Sequence, residues 1–179
     1  ALSGLILTLS LVIGLFSINF ILASSLILMF TVSYLYISLV IRKRIIENSA
    51  RAKIPHLGSC LSCVDILIYL YWIEMSIDPS NPYDLERDRF ILSKGHGAPA
   101  LFQVLAERDF FSKKLLETFG ENDSLFHEHP PKPGLIEGIE AATGSLGHGF
   151  PMALGMALSS KIQNKKFKTY ALLSDGECN

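Results

Sequence analysis

The chain has 179 residues, with 16 basic and 17 acidic side chains and a formal net charge of −1. This balance gives no indication of a nucleic-acid partner, because such partners are bound through an excess of clustered basic side chains. The three cysteines lack the spacing of a disulfide framework, which favours a reducing compartment such as the cytosol.

The charges are unevenly distributed, because residues 1–41 contain no Asp, Glu, Lys or Arg. We therefore predict two regions, a hydrophobic helical segment over residues 1–41 and a globular domain over residues 42–179. The charge-free run is about twice the ~20 residues that one helix needs to cross a bilayer, so it can hold one long span or two short ones. The basic cluster Arg42-Lys43-Arg44 predicts that the domain then lies on the cytoplasmic side of the membrane.

A second interpretation of the hydrophobic segment is that it does not belong to the working protein. The sequence begins with Ala rather than Met, as is expected of a fragment or of a misread frame. A signal peptide is not indicated, because the apolar run is too long and no basic segment precedes it. The residues themselves favour neither interpretation.

The next predicted elements are two helices. Apolar and charged residues alternate at helical spacing over residues 35–52, and an interruption follows at residues 54–58. A second helix is predicted from Ser59 or Ser62 to a proline-rich turn at residues 78–82. Cys60-Leu-Ser-Cys63 has the spacing of a redox pair or half a zinc site, but nothing completes four ligands. We therefore expect two small residues packed at the start of a helix.

Two short apolar runs, residues 89–93 and 169–173, predict buried strands. The first leads into a glycine-lined loop and a helix, and the second is preceded by another glycine-rich turn and helix. Residues 122–139 are rich in Pro, Gly and His and predict an irregular loop. This alternation of helices and buried strands predicts an α/β fold with a parallel sheet, whose ligands collect at the carboxyl ends of the strands.

Glycine, histidine and aspartate recur at those predicted strand ends. Glycines allow a phosphorylated ligand to approach the backbone, and N–H groups at a helix start favour its negative charge. A carboxylate such as Asp175 at a strand end can hold the Mg²⁺ or Ca²⁺ that neutralises a diphosphate. Each signal is weak by itself, because most glycine-rich turns bind nothing and most Asp-Gly pairs are reverse turns.

The order and wording of the motifs are more specific than their composition. In four blocks, the sequence resembles the transketolase family, particularly its separate amino-terminal subunits, over roughly residues 37–179. The blocks are Ala52-Lys53-Ile54-Pro55-His56-Leu57-Gly58-Ser59, Arg87-Asp88-Arg89-Phe90-Ile91-Leu92-Ser93-Lys94-Gly95-His96-Gly97, Thr143-Gly144-Ser145-Leu146-Gly147-His148-Gly149 and Ser174-Asp175-Gly176-Glu177. Deoxyxylulose-phosphate synthases resemble the first block, but they carry Gly-His-Gln where this chain has Gly95-His96-Gly97.

The resemblance implies a three-layer αβα thiamine-diphosphate-binding fold, here truncated and preceded by the hydrophobic segment. It also implies a transketolase-type transferase that moves a two-carbon ketol unit between sugar phosphates with thiamine diphosphate and Mg²⁺ or Ca²⁺. By the same resemblance, His96 contacts the diphosphate, and Gly144 and Leu146 approach the aminopyrimidine and its linker. Asp175, the metal ligand, and Gly176 hold the metal and the diphosphate.

The resemblance assigns a catalytic group of three histidines, His56, His96 and His129, of which His56 and His129 face the sugar. An alternative for His129 is a simple loop imidazole in the His127-Glu128-His129 run. A metal pair at His127 and His129 lacks a third ligand.

The sequence also departs from the family pattern. Pro55, His148 and Ser174 replace residues that are common in the family, and the chain stops before the expected metal-binding Asn. In the family the glutamate that activates the cofactor belongs to another domain or polypeptide. We therefore expect a carboxyl-terminal partner subunit or domain, a dimer of such pairs, and no activity from this chain alone. The alternatives are a membrane-tethered non-catalytic binding module and a gene fragment.

Overall fold

The computed structural model describes the backbone of residues 2–179 and the side chains of residues 22–179. The chain divides into two compact units, residues 1–39 and residues 40–179. Helix α1 (Leu2–Ala52) begins in the first unit and ends in the second. In the first unit, the described side chains from Leu22 onward are mostly exposed although they are apolar.

Two described segments are long and apolar enough to cross a membrane by length and composition alone, Leu22–Ala52 and Leu57–Glu74. The second segment buries Val64, Leu67 and Ile68, which is the behaviour of a core helix in a globular domain. In the first segment most side chains are exposed. The membrane prediction therefore depends on α1.

The second unit begins with the amphipathic end of α1. Ile41, Ile45 and Ser49 recur at a spacing of four residues and are all buried, so one stripe of the helix faces the core. Arg44, which is half-buried beside this stripe, forms an ion pair with Glu107 at 2.6 Å. These contacts confirm the amphipathic helix predicted over residues 35–52.

The remaining elements follow the predicted order closely. The long second helix is divided into two short helices and one π-helical turn, whereas the other predicted helices and strands appear as single elements. The bounds are α2 Leu57–Ser62, α3 Val64–Tyr69, π-helical turn Leu70–Glu74, β1 Arg89–Leu92, α4 Ala98–Glu107, α5 Gly149–Ile162 and β2 Thr169–Leu172, with 3₁₀ turns at Gly95–Gly97, Lys113–Thr118 and Asp175–Cys178.

The described residues form one parallel sheet of two strands, in which Arg89 lies opposite Thr169 and Leu92 opposite Leu172. Helix α5 packs against both strands. Because the strands are parallel and in register, the loops that leave their carboxyl ends emerge side by side. The α/β prediction with a parallel sheet is confirmed.

The core is centred on α4, in which every residue from Ala98 to Ala106 is buried. Phe102 of this helix meets Phe126 of the irregular segment edge to face, with ring centroids 5.3 Å apart. Residues 122–139 contain neither helix nor strand, as predicted, yet Phe126 and Ile136 hold the segment against the core by burial.

Asp88 connects the beginnings of the two strands. It is buried, and its carboxylate accepts hydrogen bonds from the backbone N–H groups of Lys168 at 2.7 Å and Ser76 at 2.9 Å. Lys168 immediately precedes β2, so one side chain just before β1 fixes the start of its neighbour. Asp88, in the Arg87-Asp88-Arg89 block, therefore helps to hold the starts of the two strands together.

Candidate functional site

A cavity of about 600 Å³ opens at the carboxyl edge of the sheet. It is formed by the start of α2 and α3, the loop after β1, the glycine-rich turn before α5 and the loop after β2. The lining residues are Gly58, Ser59, Ser62, Cys63, Ile66, Lys94, His96, Leu146, Leu172, Leu173, Ser174, Asp175 and Gly176. Of the predicted site residues, the cavity therefore brings together His96, Leu146, Asp175 and Gly176.

His56 and His96 lie beside each other, with ring centroids 5.2 Å apart. His56 precedes α2 and has a left-handed backbone, with φ 71°, which is uncommon for a residue with a side chain. His96 is held in the 3₁₀ turn Gly95–Gly97 directly after β1. Although 40 residues separate them in sequence, the fold brings the two imidazoles together, and His96 is the one of the pair that lines the cavity.

Two glycines allow the loop after β1 and the turn before α5 to touch. A Cβ atom at Gly95 would lie 2.5 Å from the carbonyl carbon of Thr143, and one at Gly149 would lie 2.5 Å from the Cα of Ser93. The hydroxyl of Thr143 also donates a buried hydrogen bond to the carbonyl of Leu92 at 2.6 Å. No side chain fits between the two backbones, so glycine is required at both positions.

His129 lies against the glycine-rich turn. A Cβ atom at Gly144 would be 3.2 Å from Cδ2 of His129, so the imidazole covers the backbone of Gly144. His129 also lines a separate cavity of about 380 Å³ together with His127 and Glu128. Neither Gly144 nor His129 lines the 600 Å³ cavity itself.

Two basic side chains, Lys94 and His96, line the 600 Å³ cavity. Lys94 is buried, and its ammonium donates hydrogen bonds to the carbonyl of Ser59 at 3.0 Å and to the hydroxyl of Ser62 at 3.5 Å. Burial, together with the charge of Lys94 and the neighbouring His56 and His129, lowers the pKa of His96 below its ordinary value. An imidazole with a lowered pKa is neutral at pH 7 and offers one N–H donor.

Asp175 is the one carboxylate among the residues that line this cavity, and it is exposed. The described part of the chain contains no group of three or more His, Cys, Asp or Glu side chains arranged to hold a metal. A single carboxylate suits Mg²⁺, which usually keeps several water ligands and takes others from substrate phosphates. The donors therefore fit a metal bound jointly with a diphosphate.

The cavity also fits the remainder of a thiamine diphosphate molecule. Lys94, His96 and the hydroxyl of Ser59 provide donors for a diphosphate, whereas the hydroxyl of Ser62 donates to the carbonyl of Ser59 and helps to position Lys94. Ile66 and Leu146 provide an apolar wall for a ring. Lys94, Ser59 and Ser62 were not predicted as site residues, although they lie in or next to the sequence blocks. Only the fold shows that their polar atoms converge.

Cys60 and Cys63 are free thiols buried next to this site. The thiol of Cys60 contacts the carbonyl of His96 at 3.5 Å. Burial, helped by the neighbouring Cys63, raises the pKa of Cys60 to about 11, and burial also raises the pKa of Cys63. Thiols of this kind are poor nucleophiles. The pair is packed in the core, as the sequence indicates.

Comparison with known proteins identifies similar sequences. Residues 36–177 match the family model described as the transketolase thiamine diphosphate binding domain. The chain is 41% identical over 136 residues to one of the subunits of the apulose-4-phosphate transketolase of Phocaeicola vulgatus, covering 76% of this chain and 48% of that protein. It is also 41% identical to the 6-deoxy-6-sulfo-D-fructose transketolase subunit of a Clostridium species, covering 77% and 50%. The chain thus spans about half the length of these relatives.

Solved structures show the same likeness. Transketolase from Campylobacter jejuni aligns with a TM-score of 0.71 and 31% identity, over 79% of this chain and 23% of that one. Transketolase from Leishmania mexicana aligns with a TM-score of 0.73 at 23% identity, over 80% of this chain and 23% of that one. The second likeness shows the fold alone.

Proposed function

The chain belongs to the transketolase family through its thiamine diphosphate binding domain, and from this membership we propose that it forms part of a ketol-transferring enzyme. The reaction is transfer of a two-carbon ketol unit between sugar phosphates, with thiamine diphosphate and Mg²⁺ or Ca²⁺. The observation that supports it most is the convergence of Lys94, His96, Asp175 and Gly176 on one cavity at the carboxyl edge of the sheet.

The residues in and beside the cavity divide into three tasks in this proposal. Lys94 and His96 bind the diphosphate, and Asp175 binds the metal that neutralises it. Gly176 allows the phosphate oxygens to approach the backbone, because it carries no side chain. Gly144 and Leu146 contact the aminopyrimidine and its linker. When bound, thiamine diphosphate supplies an electron sink for carbon–carbon bond cleavage.

His56 and His129 act on the sugar in this proposal. Both imidazoles are exposed, so a substrate can reach them. Both also contribute to the lowered pKa of His96. A histidine beside a sugar hydroxyl can hold or move its proton near neutral pH. His96, between the diphosphate and His56, completes the catalytic group.

A partner subunit is the second part of the proposal. The relatives named as transketolase subunits imply a carboxyl-terminal partner. Helix α5 begins at the glycine-rich turn, next to the cavity. At least half of the surface of its Phe150, Leu154 and Leu158 side chains is exposed. An apolar face next to a cofactor site is typical of a surface that another subunit covers. We place the partner there and propose a dimer of such pairs, with this chain inactive by itself.

The globular unit is cytoplasmic in this proposal, as expected for its cysteine content, and α1 attaches it to a membrane. The exposed apolar side chains from Leu22 to Leu39 support the attachment, since water-exposed residues of this kind are rarely contiguous in soluble proteins. Arg42, Lys43 and Arg44 then lie at the cytoplasmic boundary.

Calorimetry tests the cofactor assignment. The full chain, mixed with a carboxyl-terminal transketolase subunit, is titrated with thiamine diphosphate in the presence of Mg²⁺. We expect saturable binding by the wild type and loss of at least ~100-fold in affinity for Asp175→Ala, because a bound metal loses its protein carboxylate. Asp123→Ala, which removes an exposed carboxylate from a different loop, is the matched control. Absence of binding by the wild-type pair would reject the cofactor assignment.

A further inference from the structure

We propose that Glu177 is a positioning residue that holds the glycine turn, residues 143–149, in the shape that receives the cofactor. The inference rests on the proposed function only for the identity of that cofactor. Glu177 does not line the 600 Å³ cavity, so it acts through the residues that it contacts.

One carboxylate connects three separate segments. Oε1 of Glu177 accepts a hydrogen bond from the hydroxyl of Ser93, after β1, and another from the backbone N–H of Gly147 at 2.8 Å. Oε2 accepts a longer bond from the backbone N–H of Ser174, after β2, at 3.4 Å. Glu177 therefore joins the loops at both strand ends to the glycine turn.

The contact at Gly147 is held by hydrogen bonding rather than by packing. Gly147 has φ +84°, and a Cβ atom added there would meet nothing within 4 Å. By contrast, both ends of the turn are packed, since Thr143 is buried and Gly149 lies directly on Ser93. The bond from Gly147 to Glu177 thus anchors the exposed middle of the turn.

The carboxylate suits this position because all three of its partners are donors. An ionised carboxylate accepts only, and its hydrogen bonds are stronger than those between neutral groups.

The same bond limits how the turn can bind a ligand. The N–H of Gly147 is already used by Glu177, so it is not a donor for a phosphate. Leu146, the preceding residue, lines the cavity and is presented to it by the turn. Glu177 thereby sets the position of Leu146 without contacting the ligand.

Amide hydrogen exchange on the full chain without cofactor tests the inference directly. We expect residues 143–149 to exchange about tenfold faster in Glu177→Ala, because a charge-assisted hydrogen bond is lost. Glu177→Gln keeps one acceptor oxygen for Ser93 and Gly147 and should restore most of the protection. Glu137→Ala, at an exposed loop carboxylate, is the control. Unchanged exchange of the turn in Glu177→Ala would overturn the inference. If that variant does not fold, Glu177→Gln is the test: the amide of Ser174 must exchange faster, because its acceptor Oε2 is replaced by an NH2 group.

Titration of the same variants with thiamine diphosphate and Mg²⁺, paired with a carboxyl-terminal subunit, measures the consequence for binding. We expect Kd to rise about tenfold in Glu177→Ala and to recover largely in Glu177→Gln, in parallel with the exchange rates. An unchanged Kd with a loosened turn would overturn the positioning role. If the wild type does not bind at all, the proposed function fails, whereas the exchange result still decides whether Glu177 holds the turn.

Discussion

At the residue scale, the surroundings of His96 lower its pKa and thereby determine which hydrogen bonds its imidazole can make. His96 lies in the turn Gly95–Gly97, beside His56 and close to Lys94, so a proton on its ring is disfavoured both by burial and by nearby positive charge. The neutral ring can donate a hydrogen bond to a diphosphate while Lys94 provides the charge. A bound dianion would stabilise the protonated form, so cofactor binding should take up protons.

We expect the free chain to show a titration midpoint for His96 below 6.5 by NMR. Since an unfolded histidine binds its proton at about pH 6.5, the unfolded state holds more protons just below that pH. The free energy of unfolding should therefore decrease as the pH falls through 6.5. Urea unfolding at pH 7.5 and 5.5 measures this decrease.

His96→Gln should reduce that pH dependence, because it removes the group whose pKa differs between the folded and unfolded states. His148→Gln, which removes an exposed imidazole from the glycine turn, is the matched control. A midpoint above 6.5 for His96 would contradict the environment described above and would make the ring a cation in the site.

At the scale of elements, α5 contains two glycines with opposite surroundings. A Cβ atom at Gly149 would lie 2.5 Å from Cα and 2.6 Å from Oγ of Ser93, whereas one at Gly155 would meet nothing within 4 Å. The first glycine permits the helix to begin against the loop after β1. The second only lowers the helix propensity of an exposed position.

Alanine substitution at the two glycines should have opposite effects. Gly149→Ala should lower the free energy of unfolding by about 1–3 kcal/mol, because either α5 or the loop after β1 must shift. Gly155→Ala should raise it by about 0.5–1 kcal/mol, through lower chain entropy and higher helix propensity. Urea unfolding of the full chain compares the pair, and equal effects would mean that the close approach at Gly149 is not maintained.

At the scale of the whole molecule, helix α1 is the feature that supports the proposed membrane attachment. Its apolar side chains from residue 22 to residue 39 are largely exposed, whereas from Ile41 onward one face is buried. A bilayer would cover the first part and leave the second part to the globular unit.

We expect the full chain to remain with membranes after extraction with alkaline carbonate. Leu26→Arg combined with Met29→Arg should release it, because an arginine near the middle of a span costs about 2.5–3.5 kcal/mol. Leu154→Arg, at an exposed apolar position of α5, is the control and should stay in the membrane fraction. Release of the wild-type chain by carbonate would reject the membrane attachment.

The local pattern of residues accounts for much of the fold. The helical spacing of residues 35–52, the two short apolar runs and the glycine-rich stretch before α5 predict elements that the structure contains. The interruptions of the second helix could not be predicted from the sequence. The division at Cys63 and the π-helical turn Leu70–Glu74 depend on how these residues pack rather than on their spacing. Membership of the transketolase family also followed from the sequence, through the order of four blocks.

The sequence by itself determined which elements form and which residue types stand at the strand ends, because hydrophobic periodicity and glycine act within a few residues. The tertiary structure decided which of those residues meet. Lys94 reaching Ser59, His56 beside His96, and Glu177 joining Ser93 to Gly147 are contacts across 30 residues or more. Such contacts arise only when the parallel strands bring their carboxyl ends to one edge, and no local pattern encodes the partner.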